Sequence, residues 1–250
     1  MTLWLFLLAL QFDPNSSPKF VETTRLLQQQ KYTEAILILE ELTRAKPTVG
    51  EYWFALGVAN AANNNIPASL EPFSKACSAS LRPSRACYQY GRVLQASGRH
   101  ADAVLAFEAA GKNAQDSVLL TAKAQSHEAL DQMSAADQAY RAALSESALR
   151  PANSAEVQLR YGVFLAGQGK FESSRWQLDQ VLRKRPFLGP AWREKANVLI
   201  ALERKEDAID ALEQAISHGE RTRENLLLLA RLCDELGDKT KAEAYRQDAR

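Results

Sequence analysis

The sequence has little of the two residues that most often interrupt regular structure. Glycine contributes 11 and proline 9 of the 250 residues, below the usual shares of roughly 7% and 5%. This scarcity disfavours a turn-rich all-β chain and favours helices. The hydrophobic share of 46% and the charged share of 24% are close to globular averages, which excludes a disordered chain and a polytopic membrane protein.

Cysteine, histidine and excess charge are also scarce. The three cysteines, Cys77, Cys87 and Cys233, are too few for a disulfide framework and show no CxxC spacing, which excludes zinc ribbons and thioredoxin-like redox sites. None of the three histidines has a second histidine at metal-ligand spacing. We therefore predict no metal and no cofactor. The 31 basic and 30 acidic residues nearly cancel, so the bulk charge does not indicate a nucleic-acid partner.

The first residues form a short apolar segment. Residues 3–12 are apolar except Gln11 and precede Asp13-Pro14. At about 1.5 Å of rise per residue, such a helix covers roughly half of a 30 Å hydrocarbon layer. We predict that residues 1–15 are a signal peptide and that the chain is exported, to the periplasm or the exterior. No basic residue and no clean cleavage motif accompany the segment. The alternatives are a cytoplasmic protein in which this helix covers an apolar edge at the start of the folded domain, and membrane contact through an uncleaved segment.

A small residue followed four positions later by a larger one recurs along the chain. The steps between the small residues are 34, 34, 33, 38, 34 and 34 residues. The pairs are Ala35/Leu39, Ser69/Phe73, Ala103/Phe107, Ala136/Tyr140, Ser174/Leu178, Ala208/Leu212 and Ala242/Arg246. A second set lies twelve residues upstream of these: Thr23, Gly57, Gly91, Ala124, Gly162, Ala196 and Ala230. Two such sites per repeat imply two helices in close contact.

Turn signals separate the two sites of each repeat. Glycine or asparagine lies between them in Asn63-Asn64-Asn65 and Gln168-Gly169-Lys170, where these residues end a helix in a left-handed conformation. Further stops are predicted at Pro47, Pro83, Pro151 and Pro186. Each repeat is therefore predicted to be helix, turn, helix and stop, giving fourteen helices. The 38-residue step reflects a longer second helix, a longer loop or a domain boundary, and we favour one continuous array because the phasing resumes at once.

The recurring residues resemble the tetratricopeptide repeat family. The second repeat carries Trp53-x2-Leu56-Gly57, and the third carries Tyr90-Gly91 followed by Ala103-x3-Phe107. The resemblance covers residues 16–250 and is weakest in the first and last repeats. It implies an all-α, right-handed α-solenoid of about seven repeats. Their approximate bounds are 16–49, 50–83, 84–116, 117–154, 155–188, 189–222 and 223–250.

The same resemblance implies a non-catalytic scaffold that binds an extended segment of another protein on a concave face lined by the first helices. The residues it places there for partner binding are Phe54, Arg85, Tyr88, Arg92, Gln125, Arg160, Arg193, Asn197 and Arg231. Arginine dominates this set, and arginine with tyrosine suits carboxylates and peptide backbone, so we expect an acidic segment. An ordinary solvated face is an open alternative. Another is an accessory subunit of a secretion or cell-envelope assembly that docks through its convex face.

Two cysteines fall at neighbouring helix ends. Cys77 ends a second helix and Cys87 opens the next first helix, with Pro83 between them. In an exported protein they could form a disulfide. The alternative is that both are small buried residues at packing sites, and we favour this packing role for the pair and for Cys233.

Overall fold

The computed structural model describes residues 17–79, 83–111, 116–149 and 154–250. These residues form helices α1 Pro18–Gln28, α2 Tyr32–Ala45, α3 Gly50–Ala62, α4 Ile66–Ala79, α5 Pro83–Ala96, α6 His100–Ala109, α7 Ser117–Ala129, α8 Met133–Leu149, α9 Ser154–Gly167, α10 Phe171–Lys184, α11 Gly189–Ala201, α12 Lys205–Ser217, α13 Arg223–Glu235 and α14 Lys239–Asp248. No strand occurs in the described ranges, and the predicted all-α class is confirmed. The right-handed sense of the array stays a prediction. The proposed export segment, residues 1–15, lies outside the described residues.

Each predicted repeat contains an odd-numbered first helix and an even-numbered second helix joined by one kind of turn. The N–H of Lys31 donates to the carbonyl of Leu26 at 2.9 Å, and the N–H of Arg204 donates to Leu199 at 2.9 Å. These are the six-to-one bonds of a helix that ends on a left-handed residue. Positive φ angles mark that residue seven positions after the first small site in every pair: Gln30, Asn64, Gly98, Asp131, Gly169, Glu203 and Gly237.

The small sites are where the two helices of a pair touch. A Cβ placed on Gly57 would lie 2.8 Å from the ring of Phe73, and one on Gly91 would overlap the ring of Phe107. In the fifth repeat the hydroxyl of Ser174 donates to the carbonyl of Gly162 at 2.6 Å. Any larger side chain at these glycines would push the helices apart.

Proline has two different roles in the array. The indole Nε1 of Trp53 donates to the carbonyl of Pro47 at 2.8 Å, and that of Trp192 donates to Pro186 at 2.7 Å. In both repeats the proline that follows one pair therefore anchors the first helix of the next. Pro83 was predicted to be a stop but instead begins α5, because the fixed φ of proline suits the first turn of a helix. Pro151 lies outside the described residues.

The 38-residue step contains a longer helix. α8 has 17 residues, whereas α10 has 14. The contacts divide the chain into an N-terminal unit, Met1–Ala139, and a C-terminal unit, Tyr140–Arg250. This division falls within α8, and each unit is described separately below. No helix in the described part of the chain combines the length and apolar character needed to cross a membrane.

The favoured interpretation of the cysteine pair was wrong. Cys77 of α4 and Cys87 of α5 are joined by a disulfide, with their Cα atoms 4.5 Å apart. This Cα separation lies within the usual range for a disulfide. Cys233 is a free, buried cysteine of α13, as predicted, and burial raises the pKa of its thiol.

Candidate functional site

We call the side of each unit formed by the odd-numbered helices the first-helix face. In the N-terminal unit its first feature joins α3 to α5. The guanidinium of Arg85 lies 4.7 Å from the ring centroid of Phe54. Phe54 is only 7% exposed and meets the ring of Phe73 edge-on at 5.8 Å. Phe54 was predicted to contact a partner, but it lies in the core, where its ring packs against the guanidinium of Arg85.

The next two turns of α5 carry Tyr88 and Arg92. The half-buried ring of Tyr88 packs 6.1 Å from that of Phe107. Nη1 of Arg92 lies 3.5 Å from the hydroxyl oxygen of Tyr88. Arg85, Tyr88 and Arg92 are thus spaced at i, i+3 and i+7, which places them along one side of a helix.

The end of α5 is fastened to α7. Nε2 of Gln95 donates to the carbonyl of Ala122 at 2.7 Å and to the hydroxyl of Ser126 at 2.8 Å. Gln125, the predicted site residue of α7, is half-buried nearby in the chain. These bonds hold α5 and α7 side by side, so the helix that carries the arginines is fixed in place.

On the first-helix face of the C-terminal unit, two predicted site arginines are paired with glutamates. Nε of Arg160 lies 3.0 Å from Oε1 of Glu156, one turn earlier on α9. Arg193 of α11 lies 2.8 Å from Glu194 and 3.6 Å from Glu220. The hydrogen bond to Glu194 is the main cause of the raised pKa of Arg193. Both arginines therefore share their charge with carboxylates, and this part of the face is not strongly positive.

A small cavity of about 140 Å³ lies between α9 and α11, above α10. Its apolar wall includes Val163 and Val198, and its polar rim includes Glu194 and Asn197. Nδ2 of Asn197 points to Oε2 of Glu194 at 3.4 Å. Arg160 does not line this cavity.

Val163 is the residue that the sequence analysis missed. It follows Gly162 directly, just as Arg92, Asn197 and Arg231 follow the small residues of their own first helices. Applying that offset to every repeat would have selected Val163 instead of Arg160. Arg231 itself is exposed on α13.

The fold defines the chain as a helical-repeat protein. Comparison with known proteins shows which helical-repeat family it resembles. The tetratricopeptide repeat family model matches residues 23–86 and 193–250. The resemblance to this family predicted from the sequence is confirmed, and the matched ranges cover just under half of the chain. No curated protein sequence matches it.

Solved structures share the fold at low sequence identity. The C-terminal part of a TPR repeat-containing protein from Cytophaga hutchinsonii is 16% identical with a TM-score of 0.73, over 92% of this chain and 93% of that one. A tetratricopeptide repeat protein from Parabacteroides merdae is 13% identical with a TM-score of 0.70, over 92% and 90%. YrrB, described as a TPR protein with an unusual peptide-binding site, is 18% identical with a TM-score of 0.59, over 75% and 95%.

Proposed function

We propose that this chain is a non-catalytic scaffold that binds an extended, acidic segment of a protein partner on the first-helix face of its N-terminal unit. The observation that carries the proposal is the arrangement of Arg85, Tyr88 and Arg92 on α5. Arg85 is supported by Phe54, and Arg92 lies beside the hydroxyl of Tyr88. Supported arginines bind carboxylates well because less side-chain freedom is lost on binding.

The spacing of the arginines defines the partner further. Seven residues of helix separate Arg85 from Arg92, which is about 10 Å along the axis at 1.5 Å per residue. A partner segment in the extended polyproline II conformation advances by about 3.1 Å per residue with three residues per turn, so two carboxylates three residues apart lie on the same side and match this distance. The separation is comparable to the roughly 8 Å screening length of physiological salt, so both arginines attract the same acidic segment.

Export supplies the second part of the proposal. The Cys77–Cys87 disulfide supports a periplasmic or secreted location, because disulfides persist in oxidising compartments and are rare in the cytosol. This support is independent of the apolar segment at residues 3–12. The scaffold would therefore serve partners outside the cytoplasm.

The experiment is affinity capture from the native compartment with the full chain and two charge-reversal variants. Arg92→Glu changes the proposed site, and Arg44→Glu is the matched control. Arg44 is exposed on α2 and lies 3.8 Å from Glu40. We expect partners that are retained by the chain and by Arg44→Glu but lost with Arg92→Glu, and that elute as salt rises. Retention by all three chains would contradict the proposed site.

A further inference from the structure

The C-terminal unit has a second and larger cavity on its opposite side. It is a cleft of about 440 Å³ in which α10 and α12 form the walls and α11 forms the floor. Trp192 and Leu199 lie along the floor, and Ala211 adds apolar surface from α12. The volume lies within the range of ligand pockets, roughly 300–1,000 Å³. We call this cavity the outer cleft.

The cations of the outer cleft already have acidic partners. Lys195 lies 2.7 Å from Asp179, and Arg204 lies 2.7 Å from Asp207 across one turn. Arg175 contacts Glu172 at 2.9 Å and also faces Asp179 at 3.7 Å. Bringing another anion into the cleft would break these pairs or leave the anion uncompensated.

Of the two carboxylates that line the outer cleft, one is paired with a cation of the described residues. Among the described residues that line it, Asp207 is paired with Arg204, whereas no ion pair to a cation is found for Asp210. Gln214 follows one turn later on the same side of α12, so its amide oxygen and the Asp210 carboxylate face the cleft together. These oxygens accept hydrogen bonds, and they lie beside an apolar floor.

From this charge balance we propose that the outer cleft binds an arginine side chain of a protein partner. The guanidinium pairs with Asp210 and the Gln214 amide oxygen, while its aliphatic stem packs on Leu199 and Ala211. Arginine suits such a site because its planar group binds a carboxylate through two parallel hydrogen bonds and is weakly hydrated. This site belongs to the C-terminal unit, whereas the proposed acidic-segment site belongs to the N-terminal unit, and it does not depend on that site.

The test uses the isotope-labelled full chain and the capped tripeptide acetyl-Ala-Arg-Ala-amide. Its counterpart with citrulline has nearly the same shape without the charge. We expect the arginine peptide to shift the indole N–H resonance of Trp192, which a Trp192→Phe variant assigns. The citrulline peptide should bind about fivefold or more weakly, as expected for loss of a charged hydrogen bond.

A matched pair of variants locates the interaction. Asp210→Asn should weaken the arginine peptide about fivefold, whereas Glu206→Gln should leave its affinity within about twofold. Glu206 is exposed on the same helix and does not line the cleft, so both variants lose one charge from α12. Equal affinity in both variants, equal binding of citrulline, or a shift of resonances outside the cleft would each overturn the proposal.

Discussion

Single residues set how closely the two helices of a repeat approach. Gly91 faces the ring of Phe107, which is fully buried, and Gly57 faces Phe73 in the same way. In the fifth repeat the small residue Gly162 meets Leu178, whose nearest atom is 3.2 Å from a Cβ built there. The tolerance for one added methyl group therefore differs between repeats.

Gly91→Ala is predicted to destabilise the chain by about 1–3 kcal/mol, because the methyl group overpacks the contact with Phe107. Gly167→Ala is the control, since a Cβ at Gly167 meets nothing within 4 Å. The control should be neutral or stabilising by up to about 1 kcal/mol through helix propensity. Urea unfolding followed by circular dichroism measures both. Equal midpoints for the two variants would contradict the assigned contact.

A second residue-scale prediction concerns the left-handed turn position. Glu203 adopts a φ of 58°, a conformation that costs a residue with a Cβ roughly 1–2 kcal/mol. Glu203→Gly should therefore raise the free energy of unfolding by about 0.5–1 kcal/mol, after the greater freedom of glycine in the unfolded chain is deducted. Gly169→Ala, at a φ of 70°, should shift the melting temperature in the opposite direction. Two shifts of the same sign would exclude this explanation.

At the scale of helices, the sequence predicted the helix pairs well because each pair carries two small-residue sites, one on each helix. Gly57 and Phe73 contact each other across α3 and α4 as their spacing indicates. The sequence could not predict a helix end at a residue that is compatible with both the end of one helix and the start of the next. Pro83 can stop one helix or start the next, and it starts α5. The Cys77–Cys87 bond depends on how α4 and α5 pack against each other, which the helical period does not determine.

The disulfide fastens the second repeat to the third. It closes a loop with a sequence separation of 10 residues, and the loop-closure model assigns such a bond about 2–3 kcal/mol. Reduction should lower the free energy of unfolding by that amount. A Cys77→Ala, Cys87→Ala double variant should lose the same amount and should not respond to reductant. Alkylation of the denatured, unreduced chain should modify Cys233 alone, and modification of all three cysteines would contradict the bond.

At the scale of the whole molecule, the sequence predicted the class of protein better than its site. The family resemblance implied a scaffold, but the chemistry of the first-helix face depends on neighbours distant in sequence. Phe54 is buried beneath Arg85. Arg193 of α11 pairs with Glu220, which lies between α12 and α13. Neither outcome follows from helical periodicity, because both require the packing of consecutive repeats.

Export is tested on the native protein. The apolar run at residues 3–12 and the break at Asp13-Pro14 predict cleavage that leaves a mature chain starting between residues 10 and 17. Intact-mass spectrometry of protein purified from each cell fraction measures this start. Intact Met1 recovered from a cytosolic fraction would contradict export, whereas a membrane-bound chain that keeps Met1 would indicate an uncleaved anchor.

The central claim is that Arg92 and its neighbours on α5 attract two carboxylates of an extended partner. Its most direct measurement is the fluorescence anisotropy of a labelled Leu-Glu-Ser-Ser-Glu-Leu peptide titrated with the full chain at low and high salt. We predict that affinity falls as salt rises, that Arg92→Glu weakens binding at least about tenfold, and that Arg44→Glu stays within about twofold. The counterpart with glutamine in place of both glutamates should bind as weakly as the glutamate peptide binds Arg92→Glu. Equal affinity of Arg92→Glu and Arg44→Glu for the glutamate peptide would contradict the claim.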